Sequence, residues 1–261
     1  GRIFAQLWHV GRLSHTSLQA DGAAPVSSVA RRADNSPAFA WVSPGEAGQV
    51  PASAPRALGA AEIPRIIEDF VLAARRAMAA GFDGIELHGA NGYLFEQFIN
   101  GALNTRDDAY GGTIAKRLRL ILDTIDALSA EVGAQRIGVR ISPFGRLYDM
   151  QPFDDEAATW LALAQALNAR QLAYVHTSDQ LTLGQTPIPA GFAAAFRRAY
   201  CGTLISAGGF DADSAEAALQ EDRIDLAAFG RPFIANPDLV ERMRHDWPLA
   251  RAERATFYGP H

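Results

Sequence analysis

The sequence predicts an α/β protein of the (β/α)8 barrel type, with about six of the eight βα units present in this chain. Three observations predict it. Short apolar segments alternate with amphipathic stretches of helical period from Ile3 to Phe229, which implies parallel strands joined by crossover helices. The strands show no clean polar alternation, as expected when both faces of a sheet are covered. Gln6, Trp8, His88, Arg140, His176, Gly208 and Arg231 all fall at or just past the C-terminal ends of strands, the face where barrels carry their chemistry. A doubly wound open sheet fits the same strand count; the placement of these residues favours the barrel.

The elements follow in order. Ile3–Leu7 is the first strand. Residues 17–59 are rich in Ala, Pro, Ser and Gly, have no long periodic segment, and are expected to be an irregular excursion, either a lid or a solvated loop. Ile66, Ile67, Phe70, Ala74, Ala77 and Met78 form one apolar helical face, begun by Pro64 and stopped by Gly81. A strand at Phe82–His88 follows, then a helix carrying Leu118, Ile121, Leu122, Ile125, Leu128 and Val132 that ends at Gly133. The remaining strands are Ile137–Ile141, Leu172–His176, Thr203–Ala207 and Leu226–Phe229. Helices around Trp160–Leu167, Phe192–Tyr200 and Ser214–Leu219 lie between them. The whole of 1–261 reads as one partial barrel domain.

Composition narrows the function. With 24 Lys+Arg against 29 Asp+Glu, the chain is mildly acidic, which argues against a nucleic-acid platform or a membrane-surface helix. No apolar run reaches the roughly 18 residues of a membrane span. The single cysteine, Cys201, excludes an internal disulfide framework and is most simply a packed thiol. Lys116 is the only lysine and precedes a helix, so Schiff-base chemistry and a P-loop are both disfavoured. The histidines show no metal-like clustering, so no metal is expected. The start at Gly1-Arg2-Ile3, without a secretion signal, reads as a cytoplasmic chain whose N-terminus is cut.

Several residues carry chemistry on their own account. His88 and Asn91, on the loop leaving a strand, are neutral donors able to converge on one carbonyl oxygen. The same spacing also suits a strand-end histidine bonded to backbone beside a turn asparagine. Tyr93 offers a phenol that can protonate a carbanion, or simply packs at a helix start. Arg140 ends an Ile/Val strand and asks for an anion, or for a carboxylate on a neighbouring strand. Gln6 can both donate and accept. Gly208-Gly209 and Gly230-Arg231 follow consecutive late strands, where barrels often hold a phosphate. His176 either lines the mouth or is a satisfied core histidine. The acidic run at Gln151–Glu156 reads as a solvated helix start.

At Phe4-Ala5-Gln6-Leu7-Trp8-His9-Val10-Gly11-Arg12 and Gly81-Phe82-Asp83-Gly84-Ile85-Glu86-Leu87-His88-Gly89-Ala90-Asn91-Gly92-Tyr93-Leu94 the sequence resembles the old yellow enzyme family. The likeness continues through Asn104–Gly112, Gly138–Pro143, Ala207–Phe210 and Phe229–Phe233, and ends at Thr256-Phe257-Tyr258-Gly259. It implies an FMN-dependent ene-reductase fold, with strands before Gln6 and a short C-terminal tail not represented here. On that resemblance His88 and Asn91 clamp the substrate oxygen and Tyr93 donates the proton. Gln6 and Arg140 meet the flavin ring, and Gly208, Gly209, Gly230 and Arg231 cradle its phosphate. Trp8, Tyr148 and Tyr258 read as aromatic walls, of which Trp8 and Tyr258 match family positions. The segment Phe144-Gly145-Arg146-Leu147-Tyr148 departs from the family's usual Phe followed by an amide residue. The implied reaction passes hydride from NADPH or NADH through FMN to the β carbon of an activated alkene, with protonation at the α carbon. Two other readings accompany it: a lyase or isomerase barrel for a phosphorylated substrate, and a split barrel completed by a partner chain or subunit.

Overall fold

The computed structural model describes residues 1–43, 45–180, 188–189 and 191–257. Strand β1 (Phe4–Leu7) opens the chain. The stretch expected to be irregular instead holds β2 (Val26–Ser27), an antiparallel hairpin of β3 (Pro37–Ser43) and β4 (Glu46–Pro51), and β5 (Arg56–Ala57), which pairs in parallel with β2. The hairpin has a period of two: Ala38 and Ala40 are buried, whereas Pro37, Phe39 and Trp41 are exposed. Its inward residues are small alanines, so it lacks the bulky apolar alternation that marks a strand in sequence.

Helix α1 (Ile63–Ala79) starts with Pro64 in its first turn and buries Ile63, Ile66, Phe70, Val71, Ala74 and Ala77. Strand β6 (Gly84–His88) follows, then α2 (Leu94–Ile99), α3 (Ile114–Arg117) and α4 (Arg119–Val132). Helices α1 and α4 pack side by side, clipped by an exposed Arg75–Glu131 pair. Beyond them run β7 (Ile137–Ile141), α5 (Glu156–Asn168), β8 (Tyr174–Ser178), α6 (Phe192–Ala199) and β9 (Leu204–Ala207). The described chain closes with α7 (Ala212–Gln220), β10 (Leu226–Ala227), α8 (Arg231–Ala235) and α9 (Leu239–Arg244). No helix among the described residues is long and apolar enough to cross a membrane.

Strands β1 and β9 begin one residue later than the sequence reading, and three others differ from it by two. Strand β6 begins at Gly84 because Asp83 is held in a turn, its carboxylate accepting from Arg2 Nη1 and the Ile3 N–H at 2.8 Å each. Strand β8 lies two residues later than expected, and β10 stops at Ala227. Helix α2 was invisible to periodicity because all six of its residues are buried. The acidic run is a solvated start only in part: Gln151 and Asp154 are exposed, whereas Asp155 accepts from Arg117 Nη2 at 2.7 and 2.8 Å and buried Glu156 is gripped by both terminal nitrogens of Arg146. Cys201 is exposed rather than packed.

The principal sheet is parallel, in the order β1-β6-β7-β8-β9-β10, each step joined by a crossover, as in a barrel. Its strands do alternate, contrary to the expectation. Ile85, Leu87, Ile137, Val139, Ile141 and Val175 face outward into a core shared with the helices, all fully buried; each such side chain contributes about 1.5–3 kcal/mol. The opposite face bears Phe4, Gln6, Glu86, His88, Arg140, Tyr174 and His176, apolar at the floor and polar above it. At the floor the Phe4 and Tyr174 rings stand 5.2 Å apart. Gly84 and Gly138 make room for them: a Cβ would lie 2.4 Å from Phe4 Cε1 and 2.1 Å from Tyr174 Cζ, respectively.

Candidate functional site

The register of the sheet sets the polar layer. His88 pairs with Arg140, and Arg140 with His176, at the C-terminal ends of β6, β7 and β8. One step towards the floor, Gln6 pairs with Glu86. The sequence reading passed over Glu86, although a carboxylate two residues before His88 in an otherwise apolar strand must share its face. Glu86 is buried, which alone would raise its carboxyl. The hydrogen bonds from His176 and Gln6, with the charge of Arg140 beyond, outweigh that and hold it below the ordinary glutamate value. The ionised carboxylate can only accept, so His176 Nδ1 donates to it at 3.0 Å and Gln6 Nε2 at 2.6 Å. Gln6 therefore keeps its carbonyl oxygen and one of its two Nε2 protons uncommitted among the described residues, and His176 lines the mouth rather than the core.

Arg140 donates from Nη2 to Ser178 Oγ at 3.1 Å, while its buried Nε has no partner among the described residues. Among the described residues, the ion pair that its sequence left open is not formed. Burial lowers the guanidinium's affinity for its proton and Glu86 opposes that shift; the group stays charged at neutral pH. His88 accepts the Ala90 N–H on Nδ1 at 3.3 Å, so the neutral ring carries its proton on Nε2. Burial, with the charge of Arg140 adding to it, lowers the imidazole to about 4. His88 is a neutral N–H donor at physiological pH.

Asn91 occupies the left-handed region at φ +57°, which asparagine tolerates better than most residues. Its N–H donates to Ser142 Oγ at 2.7 Å, and that hydroxyl donates to buried Glu96 Oε2 at 2.7 Å. The Gly92 N–H reaches the same oxygen at 2.9 Å. Tyr93 precedes α2, its ring edge-on to His88 at 5.1 Å and to Trp8 at 4.7 Å. Its hydroxyl donates to Tyr148 Oη at 3.4 Å, and burial raises the phenol well above its ordinary value.

Asn91, Arg140, His176, Tyr93 and Tyr148 are divided between two cavities. One, of about 390 Å³, has Asn91, Arg140 and His176 at one end and Gly208, Gly209, Gly230 and Arg231 at the other. Gly209 sits at φ +82°, and a Cβ on Gly208 would approach that of Asp179 to 3.0 Å. The second, of about 580 Å³, is walled by Trp8, Tyr93 and Tyr148, roofed by Pro37, Ala38, Phe39 and Gln49 of the hairpin, and flanked by Arg254. The excursion thus supplies a cavity wall, the lid-like alternative of the two its sequence left open. Trp8 and His88 meet between the cavities at 5.7 Å. Tyr258 lies outside the described residues. No sequence signal distinguished Ser142, Glu96 or Gln180, whose roles depend on contacts across loops.

A flavin mononucleotide fits the first cavity chemically. Arg140 Nε and His176 Nε2 are buried without partners among the described residues, and Gln6 keeps a free carbonyl, a set suited to the polar edge of a heteroaromatic ring. Backbone at Gly208, Gly209 and Gly230, with the cationic Arg231, suits a phosphate.

Fold and site together define a parallel-barrel protein with a mononucleotide cavity beside an aromatic, hydrogen-bonding wall. The chain belongs to the NADH:flavin oxidoreductase / NADH oxidase family, whose pattern matches residues 1–250. It is 43% identical over 261 residues to 12-oxophytodienoate reductase 1 of Oryza sativa subsp. japonica, covering 98% of this chain and 65% of that protein. It is 39% identical over 260 residues to 12-oxophytodienoate reductase 2 of Arabidopsis thaliana, covering 99% and 68%. The chain therefore spans about two thirds of such relatives. Among solved structures, morphinone reductase superposes with a TM-score of 0.96 at 43% identity, over all of this chain and 70% of the other. Its complex with tetrahydroNAD superposes at 0.94 with 44% identity, over the same shares.

Proposed function

We propose that this chain carries the flavin-holding and substrate-activating parts of an ene-reductase that uses NADH or NADPH to reduce an activated alkene such as an enone or nitroalkene. The observation that carries the reading is a neutral His88 N–H that stands edge-on to the Tyr93 ring and pairs across the sheet with Arg140, with Asn91 three residues further on beside Arg140 in the first cavity. The names of the relatives carry an oxo or -one group, in keeping with a carbonyl as activating group.

His88 Nε2 and the Asn91 amide donate to one substrate oxygen. This draws electron density from the alkene and stabilises the negative charge that develops there; a preorganised donor of this kind is worth about 2.7–4 kcal/mol. Its low pKa keeps His88 a donor without a net charge that would bind ground state and transition state alike. Tyr93, held protonated by burial, delivers the proton to the α carbon, with Tyr148 Oη next in line at 3.4 Å. Gln6 and Arg140 hold the ring edge of FMN, and the late-strand glycines with Arg231 hold its phosphate. FMN held there would supply the hydride chemistry that links the nicotinamide to the β carbon. Trp8 and the hairpin exclude water from the alkene side.

The principal sheet ends at β1 and β10, whereas an eight-stranded barrel closes. Activity is expected where two further strands, in the same or a partner chain, complete the cylinder. A cytoplasmic setting belongs to this reading and rests on the cysteine-poor composition. The test is an anaerobic flavin spectrum: bleaching by NADPH, then recovery of the oxidised spectrum with cyclohexenone or a nitroalkene. A flavin that NADPH reduces but that no enone or nitroalkene reoxidises refutes the assignment.

A further inference from the structure

We propose that Gln180 is a positioning residue that fixes which way the Asn91 carboxamide faces, so that Asn91 presents its NH2 group, and not its oxygen, to an oxygen-bearing ligand. The inference rests on the reading of Asn91 as a donor given above.

Gln180 lies just past β8 and is only 3% exposed. Its Oε1 accepts two backbone donors, the N–H of Arg146 at 2.8 Å and of Leu147 at 3.2 Å. A backbone N–H can only donate, so these bonds decide which end of the Gln180 amide is oxygen. The other end is therefore NH2, and it reaches Asn91 at 3.1 Å. A donor there demands an acceptor, so Asn91 turns Oδ1 towards Gln180 and its Nδ2 protons the other way. The order passes from two peptide groups, through one side chain, to the candidate clamp.

The surroundings support a built contact. The backbone of Asn91 is held independently by Ser142, so the contact with Gln180 acts on the side chain alone. Gly145 makes space: a Cβ there would lie 2.6 Å from Gln180 Nε2. Without Gln180, the two orientations of the Asn91 amide are nearly equal in shape, and one sets an oxygen lone pair against the ligand's oxygen.

The test is a double-mutant cycle read by binding of 4-nitrophenolate, a planar oxygen anion whose absorbance reports its surroundings. In Gln180→Glu the carboxylate still accepts from Arg146 and Leu147 but now accepts from Asn91 as well, which reverses the amide. Phenolate affinity is expected to fall at least about tenfold, the scale of a charge-assisted hydrogen bond. In an Asn91→Ala background the same substitution is expected to change affinity less than about twofold. Selective 15N-asparagine labelling should show the Asn91 side-chain protons shifting with phenolate in the parent but not in Gln180→Glu. Gln180→Met, which removes the donor without adding charge, covers the case in which the glutamate variant does not fold; a loss of about threefold or more is expected, again only with Asn91 present. An equal loss with and without Asn91 overturns the proposal, because it marks a bulk charge effect. No loss in either Gln180 variant, while Asn91→Ala does weaken phenolate, overturns it too and spares the clamp. No loss in Asn91→Ala refutes the clamp itself.

Discussion

Replacing Glu96 with glutamine should make the stability of this protein less sensitive to pH. Glu96 is fully enclosed beneath the His88–Tyr93 loop. Burial lifts its carboxyl from 4.5 to about 7, against the bonds from the Gly92 N–H and the Ser142 hydroxyl; nearby Glu156 adds to the lift and Arg146 opposes it. In the unfolded chain the same group loses its proton near the ordinary value. Between about pH 4.5 and 7 the folded protein therefore holds more protons than the unfolded one, and stability falls as pH rises. The full benefit is present below the unfolded value and is gone above the folded one. At about 1.4 kcal/mol per unit, this shift is worth about 3 kcal/mol. Glutamine keeps an oxygen to accept both bonds and does not ionise. Urea unfolding at pH 5, 6, 7 and 8 should show Glu96→Gln gaining about 2–3 kcal/mol relative to the parent from the lowest to the highest pH. A difference between the two proteins that stays constant across this range would refute the reasoning.

Other expectations follow from the same geometry. Tyr93→Phe should lower alkene reduction about 10²–10⁴-fold while leaving phenolate binding within about threefold; steady-state rates and a binding titration separate the two. Arg140→Met should weaken FMN about tenfold or more, through loss of a charge-assisted hydrogen bond, as measured by quenching of flavin fluorescence. Imidazole NMR should place the His88 titration near 4, so its donor role persists down to about pH 5; a midpoint near 6.5 would contradict the neutral, buried histidine. Gly138→Ala should cost about 1–3 kcal/mol by overpacking against the Tyr174 ring, and Tyr174→Leu in the same chain should recover part of that loss in thermal unfolding.

The sequence made the barrel legible through its repeated strand and helix periods, and its residues at strand ends fall where the structure puts the mouth. Strand register is what brings His88, Arg140 and His176 into one row, and sequence offers no measure of register. Glu86 was overlooked because a carboxylate inside a strand looks like an exception until its neighbours Gln6 and His176 are seen to hold it. The hairpin at 37–51 was lost for a different reason. Its inward residues are alanines, so its pattern is too weakly apolar to separate from a loop. Helix α2 was missed because it is covered all round, which erases the period by which a helix is recognised.

Among the described residues, the fixed positive charge of the mouth comes from arginine. Arg140 and Arg231 line the mononucleotide cavity, and Lys116, the chain's one lysine, sits on α3. A guanidinium does not give up its proton in water at any pH a protein survives. Reagents that seek amines, such as acylating or aldehyde reagents, have no side chain to attack within this cavity. Coupling the protein to a solid support through lysine would engage α3 and leave the mouth free, whereas dicarbonyl reagents selective for guanidines would reach Arg231 along with the other exposed arginines, and its protection, located by peptide mapping, would report whether the cavity is filled.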